Sequence, residues 1–296
     1  MTEKIELVLD AKAELGEGPC WDWRTGILYW VDIEGKKVCT FNPATGENRE
    51  IVLDQQVSAV VPALNKDKLI VAMEKGLFYL QEQTEELELI TEVEGNLPDN
   101  RTNDGKCDAY GRFWIGTMSK KEEKEQGALY CLDTNGKFTK KLDNISTSNG
   151  LAWDKTNSYM YYIDTPTQKV LRYDFALDTA ILGKAVEVVD FSDEDGFPDG
   201  MTIDQEGMLW IAHWGGSKVS RWNPNAKKKL EDIELPALNV TSCTFGGIHL
   251  QELYITTART GMSTEQLEKY PLSGGLFKVT TKAAGMQAAF VADSSI

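Results

Sequence analysis

The stretch Ser148-Asn-Gly-Leu-Ala-Trp-Asp154, followed by Met160-Tyr-Tyr-Ile-Asp164, is one copy of a pattern that recurs along the chain. A polar residue opens a short strand, an Asp or Asn comes five positions later, and an apolar strand follows the turn. Here the pair is Asn149 with Asp154. Upstream the same register gives Asn103 with Asp108, Val60 with Asn65, and Glu17 with Asp22; downstream it gives Asp199 with Asp204. A sixth copy has Thr241, with Gly246 in the turn slot. The spacing is roughly 42 to 50 residues, the period of four-stranded propeller blades. The predicted fold is therefore all-β: a six-bladed β-propeller with four antiparallel strands per blade, spanning residues 1–296 as a single domain. Equivalent positions of a propeller ring one central channel, so residues far apart in sequence converge there.

The remaining strands follow from this register. The second strand of each copy is short, β-branched and aromatic: 27–32, 69–72, 113–117, 160–164, 209–213 and 253–257. Such runs read as buried on both faces. Third strands are expected at 37–41, 76–80, 128–132, 169–173, 218–222 and 275–279, many of them alternating apolar and polar residues. More polar outer strands are expected at 49–53, 87–91, 138–142, 185–189 and 230–235. Residues 5–9 are expected to pair into the last blade and close the ring. Residues 287–291 are expected to be that blade's other outer strand. Two segments escape the pattern, 119–126 and 259–271.

Composition narrows the partners. The formal charge of −15 and pI near 4.7 repel phosphate backbones, which argues against nucleic acid. No segment approaches the apolar length of a membrane span, and charges interrupt the first sixteen residues where a signal peptide would need an apolar run. The five cysteines are scattered and odd in number, with no C-x-x-C pair. A reducing cytoplasm is the location these features suggest. Neither a monomer nor a dimer is favoured by the sequence.

The ring position carries the chemistry. Gly follows Glu17, Asn149 and Asp199, which permits tight backbone conformations and close approach to a bound group. Singly, Asn-Gly and Asp-Gly are turn dipeptides; in one common register they describe a site. Glu17 and Asp199 supply two negative charges and Asn149 a neutral oxygen, a set suited to one hard divalent cation with coordination positions left open. Oxygen-only ligands put Ca2+ first, with Mg2+, Mn2+ or Zn2+ as alternatives. Val60 offers nothing to such a site, and Thr241 is expected to be structural. The Asp and Asn residues five positions on are expected to bond their own turns. Only two histidines exist, His213 and His249, and no G-x-S-x-G elbow is present, so a Ser-His-Asp hydrolase is poorly supported. His213 is expected to be structural.

Gly16-Glu-Gly-Pro19, Arg101-Thr-Asn-Asp-Gly-Lys106, Gly111-Arg-Phe-Trp-Ile-Gly-Thr-Met118, Ser148-Asn-Gly-Leu-Ala-Trp153, Pro198-Asp-Gly-Met201 and Phe245-Gly-Gly247 occur in that order. In this combination the chain resembles the family of regucalcin (senescence marker protein), gluconolactonase and luciferin-regenerating enzyme. That resemblance implies a six-bladed propeller with one catalytic divalent metal held by Glu17, Asn149 and Asp199. It places Arg101 and Asn103 at substrate-binding positions, and the repeat register independently puts Asn103 on the same ring.

The expected activity is metal-dependent opening of a sugar or related small lactone, with Asp199 also acting on the attacking water. Phosphotriester hydrolysis at the same metal and a non-enzymatic calcium-binding regulatory propeller are the alternatives. The family often covers its site with a loop after Gly-Thr-Met, here 119–126. Its charge density suits a solvated loop.

Overall fold

In the computed structural model, which describes residues 4–292, each apolar run becomes the second strand of a four-stranded antiparallel sheet. Blade 1 is Gly16–Asp22, Ile27–Asp32, Lys37–Asn42 and Glu47–Val52. Blade 2 is Val57–Pro62, Lys68–Met73, Gly76–Gln81 and Leu87–Glu92. Blade 3 is Asn100–Cys107, Phe113–Ser119, Gly127–Leu132 and Phe138–Ile145. Blade 4 is Ser148–Trp153, Tyr159–Asp164, Lys169–Ala176 and Ile181–Asp190. Blade 5 is Phe197–Ile203, Leu209–Trp214, Lys218–Asn223 and Lys228–Glu234. Blade 6 is Asn239–Gly246, Glu252–Ala258 and Leu276–Thr280, completed by Ile5–Leu9 from the start of the chain. The ring is thus closed by strand pairing between its two ends, as expected.

The core lies between neighbouring sheets. Trp30, Trp114, Tyr162, Trp210 and Tyr254, all from second strands, are almost wholly buried. The Asp residues of the turn slot anchor this layer. Asp108 accepts from Trp114 Nε1 at 2.8 Å and Arg112 Nε at 2.7 Å; Asp204 accepts from Trp210 Nε1 and Arg221 Nε, both at 2.9 Å. Each carboxylate therefore ties a hairpin to the indole of its own second strand. Asp22 bonds Arg24 in its turn, and Asp154 accepts from the Ser158 and Tyr159 amides. The turn-slot reading is correct for these four.

Blade 2 departs from the expected register. Ala63 and Lys68 close its first hairpin, so Ala63 occupies the slot held by Asp22 in blade 1. Asn65 lies two residues further on, inside the hairpin loop, where its Oδ1 accepts from Asp67 N. Counting back five residues puts Ser58, not Val60, at the ring. An Asx residue within a turn gives the same sequence signal wherever in that turn it stands.

The tail is the second correction. Blade 6 already has four strands, and the segment 287–291 does not join them. It crosses the opposite end of the channel instead. Gly285 bridges Asp204 of blade 5, Trp23 Nε1 of blade 1 donates to Ala288 O, and Val291 pairs with Ala63 of blade 2. Ala292 N then reaches Gly111 O of blade 3. Phe290 and Val291 are buried, Phe290 stacking on Trp23. Burial of these apolar residues across four blades explains why the tail leaves the outer edge.

Both segments outside the repeat join the second and third strands of their blades. Asn100 pairs with Ser119 and Asn239 with Ala258, so the loops 119–126 and 259–271 leave at the end where the ring residues enter. Blades 3 and 6 lie three places apart in a ring of six, so the loops face each other across the mouth. The second loop carries the short helix Thr264–Lys269, started by a Ser263–Gln266 capping box.

Candidate metal centre at the channel mouth

All six inner strands break register at the ring position. The pairing slips between Glu17 and Cys20, Val57 and Ala59, Thr102 and Gly105, Asn149 and Leu151, Pro198 and Met201, and Val240 and Ser242. A bulge turns a side chain away from the alternation of its strand. Here it re-aims Glu17, Asn103, Asn149 and Asp199 out of the alternation of their strands. Gly18 takes a left-handed conformation (φ 53°) beside Glu17. Gly150 serves close approach: a Cβ there would sit 2.8 Å from Asp199 O and 2.7 Å from Ile163 Cδ1.

The structure brings Glu17, Arg101, Asn103, Asn149 and Asp199 together, all buried. Asn103 Nδ2 donates to Asn149 Oδ1 at 3.0 Å and to Ser148 O at 2.8 Å. Asn149 Nδ2 donates to Thr165 Oγ1 at 2.8 Å, and Thr165 in turn donates to Pro198 O. These bonds fix which end of the Asn149 amide faces the channel: its oxygen. Arg101 Nη1 donates to Asn103 Oδ1 at 2.7 Å and Thr102 O at 2.9 Å. The guanidinium is thereby locked beside the ring rather than paired at the surface.

The electrostatics are those of a site short of positive charge. Burial pushes the Glu17 carboxyl up to about 8, helped by the nearby Asp104 charge. Burial also raises Asp199 well above the carboxylate range, with Glu17 and Asp104 adding to it. Arg101 pulls both the other way, more weakly. Its own pKa is lowered by burial against the pull of Glu34, Glu17, Glu74 and Asp199. Two buried carboxylates that one arginine cannot hold ionised, next to an amide oxygen held in place, fit a divalent cation. No group of three His, Cys, Asp or Glu side chains suited to a metal occurs among the described residues; the set here is two carboxylates and an amide.

The sequence reading missed Asp104. The slip between Thr102 and Gly105 lets Asp104 as well as Asn103 face inward, and burial raises its pKa while Lys106 opposes. Asp104 and Lys106 line a cavity of about 120 Å³ deeper in the channel, walled on its far side by Met286–Ala289. The Asn-Asp pair gave no signal of this, because strict alternation would send its two side chains to opposite faces. Ser58 Oγ, at the ring in blade 2, donates to Thr102 Oγ1 at 2.8 Å. Thr241 Oγ1 donates to Gly16 O at 2.6 Å, the structural role expected of it. His213 is fully buried and held between Asp195 O and Ser220 Oγ, a structural role, also as expected.

Residues 15–259 match the family described as the SMP-30/Gluconolactonase/LRE-like region. The chain belongs to that family. It is 43% identical over 281 residues to "Putative sugar lactone lactonase YvrE" of Bacillus subtilis (strain 168), covering 95% of this chain and 96% of that one. It is 37% identical over 283 residues to regucalcin of Oryctolagus cuniculus, covering 94% of each. It superposes with a TM-score of 0.93 on the crystal structure of a calcium-binding protein, regucalcin, from Agrobacterium tumefaciens strain C58, at 28% identity and 98% coverage of both chains. The family's propeller is therefore this chain's fold. No helix among the described residues is long and apolar enough to cross a membrane.

Proposed function

We propose that this protein is a divalent-metal-dependent lactonase that opens a sugar or related small lactone. The observation that carries this reading is the meeting of Glu17, Asn149 and Asp199 with Arg101 and Asn103 at one buried channel mouth. Membership in a lactonase-like family and similarity to a sugar lactone lactonase support it. Glu17, Asn149 and Asp199 would hold the cation, Ca2+ before Mg2+, Mn2+ or Zn2+. When bound, such an ion supplies Lewis-acid polarisation of the carbonyl and a lowered pKa for water.

The protein's own groups do the rest. Arg101, fixed by Asn103, donates to the oxygens of the substrate and sets the lactone plane. Asp199 accepts the proton of the water that attacks the carbonyl carbon. The bond from that carbon to the ring oxygen breaks, the proton passes to the leaving oxygen, and a hydroxy acid is released.

The test is lactone hydrolysis followed by pH indicator across sugar lactones, after chelation and re-addition of each divalent metal. Turnover restored by metal and removed by both Glu17→Gln and Asp199→Asn is the expected result. No turnover with any metal, despite measured metal binding, would shift the reading to phosphotriesters or to a regulatory calcium-binding role.

A further inference from the structure

The two sides of the channel mouth differ in chemistry. On the blade 3 side, Lys120 pairs with Glu74 at 2.6 Å and Lys121 with Asp99 at 2.7 Å. On the opposite side, blades 5 and 6 frame a groove of about 300 Å³ lined by Trp214, Leu238, Asn239, Met262 and Gln266 among others. Trp214 ends the second strand of blade 5 and packs against the apolar cluster that contains Leu15 and Ala258. Its directly cross-strand partner is Phe197, two residues before Asp199. Directly opposed strand residues project from the same sheet face. Phe197 is nevertheless 45% exposed.

Two polar side chains of the groove already have partners within the protein. Asn239 Nδ2 donates to Thr260 O at 3.0 Å. Gln266 Oε1 accepts from Ser263 N at 2.9 Å within the capping box. The apolar surface the groove offers a ligand is an indole, a leucine and a methionine, with an exposed phenyl ring beside the indole. The groove stands beside the ring, since Phe197 comes two residues before Asp199 and Asn239 two before Thr241, and exposed apolar surface beside a polar site marks a ligand groove.

We propose that this groove is a subsite for an apolar arm of the substrate, so that the preferred lactone carries an alkyl or aryl substituent. Trp214 and Met262 are its specificity-determining residues. The inference rests on the lactonase reading for the identity of the ring and on the groove alone for the arm. The lactone ring sits at Glu17, Asn149 and Asp199, and the substituent leaves the channel between Trp214 and the loop that carries Met262.

The test compares δ-lactones substituted with alkyl chains from methyl to hexyl, using the metal-loaded protein. In parallel, calorimetry measures binding of the matching alkyl tetrahydropyrans, which have no hydrolysable bond. Each methylene that enters the groove should raise kcat/KM, and tighten the cyclic ether, by roughly fourfold. Met262→Asp should flatten both series while leaving the unsubstituted lactone unchanged; Trp214→Ala should do the same, with Trp214→Phe retaining most of the slope. Turnover with no dependence on chain length overturns the subsite and leaves the lactonase reading intact. Ether binding that tightens with chain length, without turnover of any lactone, keeps the subsite and overturns the lactonase reading. Flat ether binding with no turnover overturns both.

Discussion

Asn103 and Asn149, one from blade 3 and one from blade 4, are joined by a single hydrogen bond of 3.0 Å in which Asn103 is the donor. The bond decides the orientation of a proposed metal ligand. Asn149 has one oxygen and one NH2 to offer, and Asn103 and Thr165 between them turn the oxygen inward. Arg101 then fixes Asn103 by donating to its oxygen.

Removing Asn103 should therefore act on the metal as well as on the substrate. Asn103→Ala frees the Asn149 amide to rotate, and loss of a group that orients a ligand typically costs about 10- to 100-fold in metal affinity. Calorimetric titration of the metal-free protein with Ca2+ measures this without substrate. Unchanged Ca2+ affinity alongside a lost kcat/KM would confine Asn103 to substrate binding.

Metal binding should release protons at neutral pH. In the metal-free protein the Glu17 carboxyl is pushed up to about 8 by burial and Asp104, so it is protonated at pH 7. A carboxylate must lose its proton to ligate. Affinity for Ca2+ should rise by about tenfold per pH unit while one proton is displaced, and the Glu17 contribution should level off above pH 8. By the same linkage the metal-free fold holds more protons than the unfolded chain between the ordinary carboxylate range and pH 8, so it loses stability as pH rises through that window. Calorimetry at pH 7 in two buffers of different ionisation heat reads the released protons directly; heats independent of buffer would contradict the assignment.

The propeller was legible because its repeat is carried by chemistry that cannot move. Asp108 and Asp204 hold the indoles of their second strands, so they recur at a fixed distance from the ring residue. Blade 2 lacks that carboxylate, and with Ala63 in its place the register slipped by two residues to Asn65. Glu17, Asn149 and Asp199 were legible for the same reason as the repeat. Asp104 was not, because only the bulge in its strand brings two consecutive side chains to one face. The apolar groove was invisible in sequence: Trp214 and Met262 stand in different blades, and their meeting depends on where one long loop folds back.

Stability should fall on mild acidification through His213. Its ring is fully buried, and burial lowers its pKa to about 4. Nδ1 faces the Asp195 carbonyl and must donate, so the neutral ring's Nε2 is an acceptor facing Ser220 Oγ, which also accepts from Trp222 Nε1. Ser220 therefore donates to a neutral imidazole, and a proton on Nε2 would oppose that donor. Because the folded pKa lies below the unfolded one, the contribution is complete above about pH 6.5 and is lost as pH falls toward 4, reaching about 3 kcal/mol. The difference in urea stability between wild type and His213→Asn, at steps from pH 7 to 4.5, measures it apart from the opposing Glu17 contribution. His213→Asn should lower stability at pH 7 and flatten the slope; a variant with the wild-type slope would assign the acid sensitivity elsewhere.

The tail across the far end of the channel should govern stability and leave the chemistry alone. Phe290 is buried, stacks on Trp23 with ring centres 5.7 Å apart, and lies 4.1 Å from the Arg24 guanidinium carbon. Arg24 is itself bidentate on Asp22 and donates to Leu64 O, so the stack joins the first hairpins of blades 1 and 2. Phe290→Ala removes a buried ring from that junction and should cost about 3 kcal/mol. Met286–Ala289 walls the deeper cavity, on the opposite side of Asp104 from the mouth where Arg101 and Asn103 lie. The variant should therefore keep its Ca2+ affinity and its lactone kcat/KM at 25 °C while its urea midpoint falls. A loss of kcat/KM at a temperature where the variant remains fully folded would mean that the tail reaches the metal centre through the channel, with Asp104 the residue through which it would act.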